Sequence, residues 1–276
     1  MDKLKFVTAG QPLRTGTAGY KKAFQILKEM NLDGMELEFV HGVRMSEPNQ
    51  KLVKELSKEK DLVLTAHGPY YINLNSKEEE KIIASINRII DTARMGKELG
   101  AYSVTYHAAF YMGQPSDEVS KKVEQSMYEI CKTLDEEKND IWVRPETTGK
   151  PTQWGNLEEI VALSKKFKQV LPCVDFSHLH ARTNGKHNTY DEFCAIFDYI
   201  GKELGLYALE NFHAHIAGID YGEKGEKKHL FLEESDMNYK DLLKAFKQFN
   251  VKGVVVCESP NIEDDAVLLK DYYSSL

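Results

Sequence analysis

Residues 61–107 read DLVLTAHGPYYINLNSKEEEKIIASINRIIDTARMGKELGAYSVTYH. Residues 62–67 and 103–107 are short apolar runs rich in β-formers, which suits two strands. Between them, residues 78–99 set Ile82, Ile83, Ile86, Ile89, Ile90 and Ala93 at helical spacing with charges in the gaps. Gly100 then closes the helix, since a glycine adopts the left-handed turn without a Cβ clash. Strand, amphipathic helix and strand in this order form a βαβ unit, and its two strands run parallel.

The same alternation continues on both sides. Further strands are predicted at 4–9, 34–40, 141–146, 171–175, 211–217 and 254–258, and further helices near 20–30, 49–60, 116–138, 157–168, 190–204, 239–249 and 262–273. Eight strands alternating with eight helices in 276 residues predict a single (β/α)8 TIM barrel spanning residues 1–276. An open doubly wound sheet is the alternative, but Thr8-Ala9-Gly10 and Thr17-Ala18-Gly19 do not satisfy the Gly-rich phosphate pattern such sheets carry.

Composition narrows the function classes. With 42% hydrophobic and 29% charged residues the chain reads as an ordinary soluble protein. A net charge of −7 speaks against coating nucleic acid by bulk charge, though not against local contact with it. The four cysteines show no CxxC spacing and read as reduced thiols of a cytoplasmic protein. No apolar run approaches the length of a membrane span, so no membrane partner is expected. The chain is expected to be a monomer.

In a barrel of this kind the reactive end is the C-terminal rim of the strands. From the third strand to the eighth, every strand end carries a metal-capable side chain: His67, His107, Glu146, Asp175 with His178, His213 with His215, and Glu258. A later loop, EKGEKKHLFL, adds Glu226 and His229. Any one of these alone reads as a structural histidine, an ion-pair partner or a helix cap. Six consecutive strand ends converging on one rim read as a cation site, because crowded carboxylates repel unless cations lie between them. Imidazole nitrogen with carboxylate oxygen and no thiolate suits Zn2+, with Mn2+ or iron as alternatives, and so many donors suit two or three ions. Glu146 and Glu258 are the candidate catalytic residues.

The ordered segments HGPYYINL, the Glu-Thr-Thr at Glu146, DFSH and CESP resemble the endonuclease IV family of apurinic/apyrimidinic endonucleases, from His67 to Glu258. That resemblance implies a hydrolase that cuts double-stranded DNA at the phosphodiester 5′ to an abasic site, in base excision repair. It implies one zinc on His67, His107 and Glu146, and a second on Glu146, Asp175, His215 and Glu258. A third would lie on His178 and His229. Tyr70 resembles a tyrosine that enters the DNA. The family's aspartate two residues before the last histidine is Lys227 here, and a protonated ammonium cannot ligate, so Glu226 is the candidate substitute. Arg44, Arg182 and Lys186 are the further candidates for DNA contact. Two rival readings remain. One is a metal-dependent sugar isomerase or epimerase on the same barrel, holding one ion with Glu146, Asp175, His215 and Glu258. The other is a non-catalytic barrel used only for binding.

Overall fold

The β-rich runs pair side by side and in parallel around one axis. The computed structural model describes residues 1–276. The strands of the cylinder are β1 (Leu4–Ala9), β2 (Gly34–Glu38), β3 (Val63–His67), β4 (Ser103–Tyr106), β5 (Trp142–Pro145), β6 (Val174–Asp175), β7 (Phe212–Ile216) and β8 (Gly253–Cys257). Their order is β5-β4-β3-β2-β1-β8-β7-β6, and every pairing is parallel. The two ends of that order meet through bridges between Val143 and Val170 and between Glu146 and Cys173. Cys173 N donates to Pro145 O and Thr147 N to Cys173 O, both at 3.0 Å, which closes the cylinder. Regular pairing in the sixth strand covers less than the sequence suggests, since Pro172 offers no N–H to the ladder.

The helices are α1 (Tyr20–Glu29), α2 (Glu47–Glu59), α3 (Glu79–Leu99), α4 (Ser116–Glu136), α5 (Leu157–Ser164), α6 (Phe176–Arg182), α7 (Tyr190–Leu204), α8 (Leu206–Glu210), α9 (Tyr239–Gln248) and α10 (Glu263–Ser275). Gly100 caps α3 at φ 76°, the left-handed conformation expected of it. Ile83 on the same helix is 52% exposed, against its place in the expected apolar face. At 21 residues α3 is far longer than the strands it spans, so its first turns overhang the barrel mouth. The short α6 and α8 and the hairpin pairing Gly218–Gly222 with Gly225–Leu230 are additions to the plain alternation.

Each strand is covered outside by helices, so alternate side chains face either that apolar layer or the lumen. The outer layer includes Phe176, Phe193, Phe197, Phe212 and Phe246, with Phe197 and Phe246 rings 5.0 Å apart. The lumen is polar. Glu36, Thr65, Ser103, Thr105, Arg144, His213 and His215 are all buried there or at its floor. Arg144 plugs the floor, donating to Pro172 O at 3.0 Å and Asn211 O at 2.5 Å beneath the faces of Tyr102 and Trp142.

Candidate metal centre

The strand ends deliver their polar side chains to one mouth. His67 ends β3, His107 follows β4, Glu146 follows β5, and Glu258 follows β8. Asp175 ends β6 and caps α6, accepting from His178 N at 2.6 Å, which brings His178 into the same space. His215 comes from β7. Tethered hydrogen bonding and strand register therefore gather residues that lie far apart in the chain.

Glu146 is at the centre and almost fully buried. Its Oε1 lies 3.0 Å from His107 Nε2 and 3.1 Å from His178 Nδ1. Its Oε2 lies 3.2 Å from His67 Nε2 and 3.6 Å from His215 Nδ1. Three groups of donor atoms form around it, each with all members within 4.8 Å of one another: His67, His107 and Glu146; Glu146, Asp175, His215 and Glu258; His178, Glu226 and His229. Glu146 is shared by the first two.

The donor set fits divalent cations. Asp175 Oδ2, His215 Nδ1 and His229 Nε2 are buried without a hydrogen-bond partner, an unusual state for polar atoms unless an ion or water completes them. Three of the other ring nitrogens face backbone carbonyls. His67 Nδ1 lies 2.7 Å from Gly68 O, His178 Nδ1 3.0 Å from Thr147 O, and His229 Nδ1 3.1 Å from Glu258 O. A backbone carbonyl can only accept, so each of these Nδ1 atoms carries the proton and each Nε2 presents a lone pair to the mouth.

Without cations the cluster is electrostatically tense. Burial alone would lower His67, but the hydrogen bond and charge of Glu146 carry it up to about 10. Burial opposes the ionised form of Glu258, yet the charge of His215 and its contact hold it down to about 2. Burial pushes Asp175 up to about 6 despite the nearby His178. Glu38 opens to solvent at the mouth, but desolvation by the enclosing wall and the charge of Glu36 push it up to about 8.

The third group depends on a bulge. In the hairpin Tyr221 pairs with Glu226 and Asp220 with Lys228, so Lys227 is the extra residue. An extra residue reverses the alternation on one side of it. Lys227 turns out to Asp220 at 3.2 Å, while Glu226 Oε2 comes to 3.6 Å from His178 Nε2 on the side of His229. Opposite them Gly149 leaves room: a Cβ there would lie 2.7 Å from Glu226 Oε2 and 2.9 Å from the His178 ring.

The other sequence candidates lie around the rim. Tyr70 is 62% exposed, with its ring 6.1 Å from that of His67. Arg44 and Lys186 are exposed on the loops after β2 and α6. Arg182 is committed within the protein. Its guanidinium donates to Thr148 Oγ1 at 2.9 Å, Lys150 O at 2.7 Å and Gln153 O at 2.9 Å, holding the loop after β5 in place.

With this geometry in view, the comparisons with known proteins are specific about the fold. The sequence pattern of the xylose isomerase-like TIM barrel family matches residues 24–272. The chain belongs to that family. It is 41% identical to an uncharacterised protein of Methanocaldococcus jannaschii over 99% of this chain and 98% of that one. It is 27% identical to a probable endonuclease 4 of Nitrosopumilus maritimus over 72% of this chain and 71% of that one. Among solved structures it superposes on endonuclease IV from Thermus thermophilus with a TM-score of 0.75 at 15% identity, covering 99% of this chain and 100% of the other. It superposes on a D-tagatose 3-epimerase-like protein with a TM-score of 0.72 at 20% identity, covering 98% and 96%. The xylose isomerase-like barrel is thus shared with proteins named for two different chemistries. No helix is long and apolar enough to cross a membrane.

Two acidic residues of this family member escape a reading of strand ends alone. Glu36 and Glu38 both lie on β2, two positions apart and so on the same lumen face. Their signal is the MELEF pattern: in a strand covered by helices, charges at alternate positions can only point to the axis. Glu36 Oε1 is 3.1 Å from His215 Nε2, and its Oε2 is 3.2 Å from His213 Nε2. Cys173, His213 and His215 also group there, beneath the mouth.

Proposed function

We propose that this chain is a metal-dependent phosphodiesterase that cleaves double-stranded DNA 5′ to an abasic site, with Zn2+ as the preferred ion. The observation that carries this reading is the sharing of Glu146 between two donor groups, with a third group beside them. A carboxylate with one oxygen 3.0 Å from His107 of the first group and the other 3.6 Å from His215 of the second suits a bridge between two ions, an arrangement made for phosphoryl chemistry. Bound divalent ions would supply Lewis-acid polarisation of a phosphate and an ionised water at neutral pH.

The chain's own residues would do the rest. His67, His107 and Glu146 would hold the first ion, Glu146, Asp175, His215 and Glu258 the second, and His178, Glu226 and His229 the third. Glu146 and Glu258 would orient the reacting groups through these contacts. Tyr70 stands exposed at the edge of the mouth, where an aromatic ring can fill the gap beside an extruded nucleotide. Exposed cations at Arg44, Lys150, Lys186, Lys224 and Lys228 line the loops of the same rim and offer local phosphate contacts despite the acidic net charge. The kinship with a probable endonuclease 4 supports this reading.

A sugar epimerase is the second reading, favoured by the Glu146, Asp175, His215 and Glu258 group, which by itself suffices for one ion. The deciding assay is incubation of a duplex bearing one abasic site, with Zn2+ and with a chelator. Cleavage immediately 5′ to the site, abolished by the chelator and restored by Zn2+, is the expected outcome. No cleavage by the zinc-loaded protein would refute the proposal.

A further inference from the structure

The ligand histidines do not all have the same backing. Behind His67, His178 and His229 stands a backbone carbonyl, fixed by the fold and uncharged. Behind His215 stands a carboxylate. Glu36 is fully buried, its Oε1 is 3.1 Å from His215 Nε2, and His215 presents its other nitrogen to Glu258 at 3.3 Å and to Glu146 at 3.6 Å. The contact has hydrogen-bond distance without full alignment, and both Glu36 oxygens, His213 Nε2 and His215 Nε2 are buried with no other partner that completes them. The carboxylate is faced from the far side by His213, whose Nε2 lies at 3.2 Å, and His213 Nδ1 is in turn 2.8 Å from Ser103 Oγ. Ser103, His213, Glu36 and His215 thus form a sealed line through the lumen that ends at the mouth.

We propose that Glu36 is the positioning residue of His215: it accepts the Nε2 proton, fixes the ring so that Nδ1 faces the ion shared with Glu146, Asp175 and Glu258, and raises the basicity of that nitrogen. An acceptor with a full negative charge strengthens an imidazole as a ligand more than a carbonyl does. The four-residue line also explains a charge in the lumen that otherwise has no use. That carboxylate faces two imidazoles, His215 at 3.1 Å and His213 at 3.2 Å.

The inference rests on cation binding at the mouth and not on the substrate, so it is tested with Zn2+ alone. Glu36→Gln keeps the shape and removes the charge. By chelator competition, the ion held by His215 should bind roughly 10- to 100-fold more weakly, the range expected when the residue behind a metal-bound histidine is lost, while the ion on His67 and His107 keeps its affinity. Unchanged affinity for both ions would overturn the proposal, as would equal losses at both with a lowered melting temperature of the cation-free protein, the mark of a merely structural role. A second measurement needs no variant. In zinc-loaded protein labelled with 15N-histidine, His215 should keep a slowly exchanging Nε2 proton, shifted further downfield than the Nδ1 protons of His67, His178 and His229. A deprotonated His215 Nε2 would overturn the proposal. So would loss of one ion per chain in Cys173→Ser, because Cys173, His213 and Glu36 would then hold an ion of their own. If abasic-site cleavage fails while these results hold, the function falls and the positioning role stands.

Discussion

Glu146 is faced by four imidazoles, those of His67, His107, His178 and His215, and no other side chain is so placed. Glu146→Gln should therefore release more than one ion and lower phosphodiesterase activity by several orders of magnitude with the fold retained, as read by elemental analysis and the abasic-duplex assay. Activity within a few-fold of the parent would contradict this role. The same residue sets a pH dependence in the cation-free chain. His67 is raised to about 10 from an ordinary value near 6.5, so its pairing with Glu146 contributes stability that is complete below about 6.5 and is lost as pH rises through about 10. Melting temperature of chelated protein should fall across that window, and the fall should shrink in Glu146→Gln. At the third group, Lys227→Asp should add no ion, because the bulge points residue 227 away from the mouth, whereas Glu226→Gln should cost one. A gain of zinc in Lys227→Asp would show that Glu226 does not serve there.

The elements that carry the site can be tested separately from it. Gly225 turns the hairpin at φ 85°, and a Cβ there would lie 2.3 Å from Gly149 O. Gly225→Ala should displace Glu226 and His229 and remove the third ion while leaving the first two, since the backbone carbonyl it meets cannot move aside cheaply. Helix α7 begins with a capping box, in which Thr189 and Glu192 satisfy each other's backbone N–H groups. Backbone donors at Asn188 draw Glu192 down to about 2. Glu192→Ala should cost about 1 kcal/mol in denaturant unfolding at neutral pH. Because the folded value is depressed, that difference should be full above the ordinary glutamate range and vanish as pH falls through about 2. Among the elements, the strands and long helices were legible because period and length agree: residues 78–99 could hardly be anything but a helix, and Glu79–Leu99 is one. Helix α6 was not, since DFSHLHAR is short and its buried His178 and His180 hide the usual apolar stripe. The bulge at Lys227 was also hidden, because alternation along GEKKHL carries no mark of the residue that will be left over.

At the scale of the whole molecule, the polar lumen is the feature that matters. A closed barrel has no room to release charge to solvent, so Glu36, Glu146, Asp175 and His215, all buried, must be neutralised by one another or by cations. Removal of metal by a chelator should lower the melting temperature, by an amount equivalent to about 4 kcal/mol when free ion stands roughly a thousandfold above its dissociation constant, and readdition should restore it. An unchanged melting curve would mean that the ions, if bound, are peripheral. Most of the mouth was readable from residues at strand ends, since those positions are fixed once the fold is known. The layer beneath it was not: Glu36 and His213 gain their meaning only from the register that sets β2 and β7 across the lumen from each other. The central claim is that side chains from six strand ends meet around shared cations. Elemental analysis of protein saturated with Zn2+ and freed of excess tests it most directly. Two or three ions per chain are predicted; one ion or none would contradict the account.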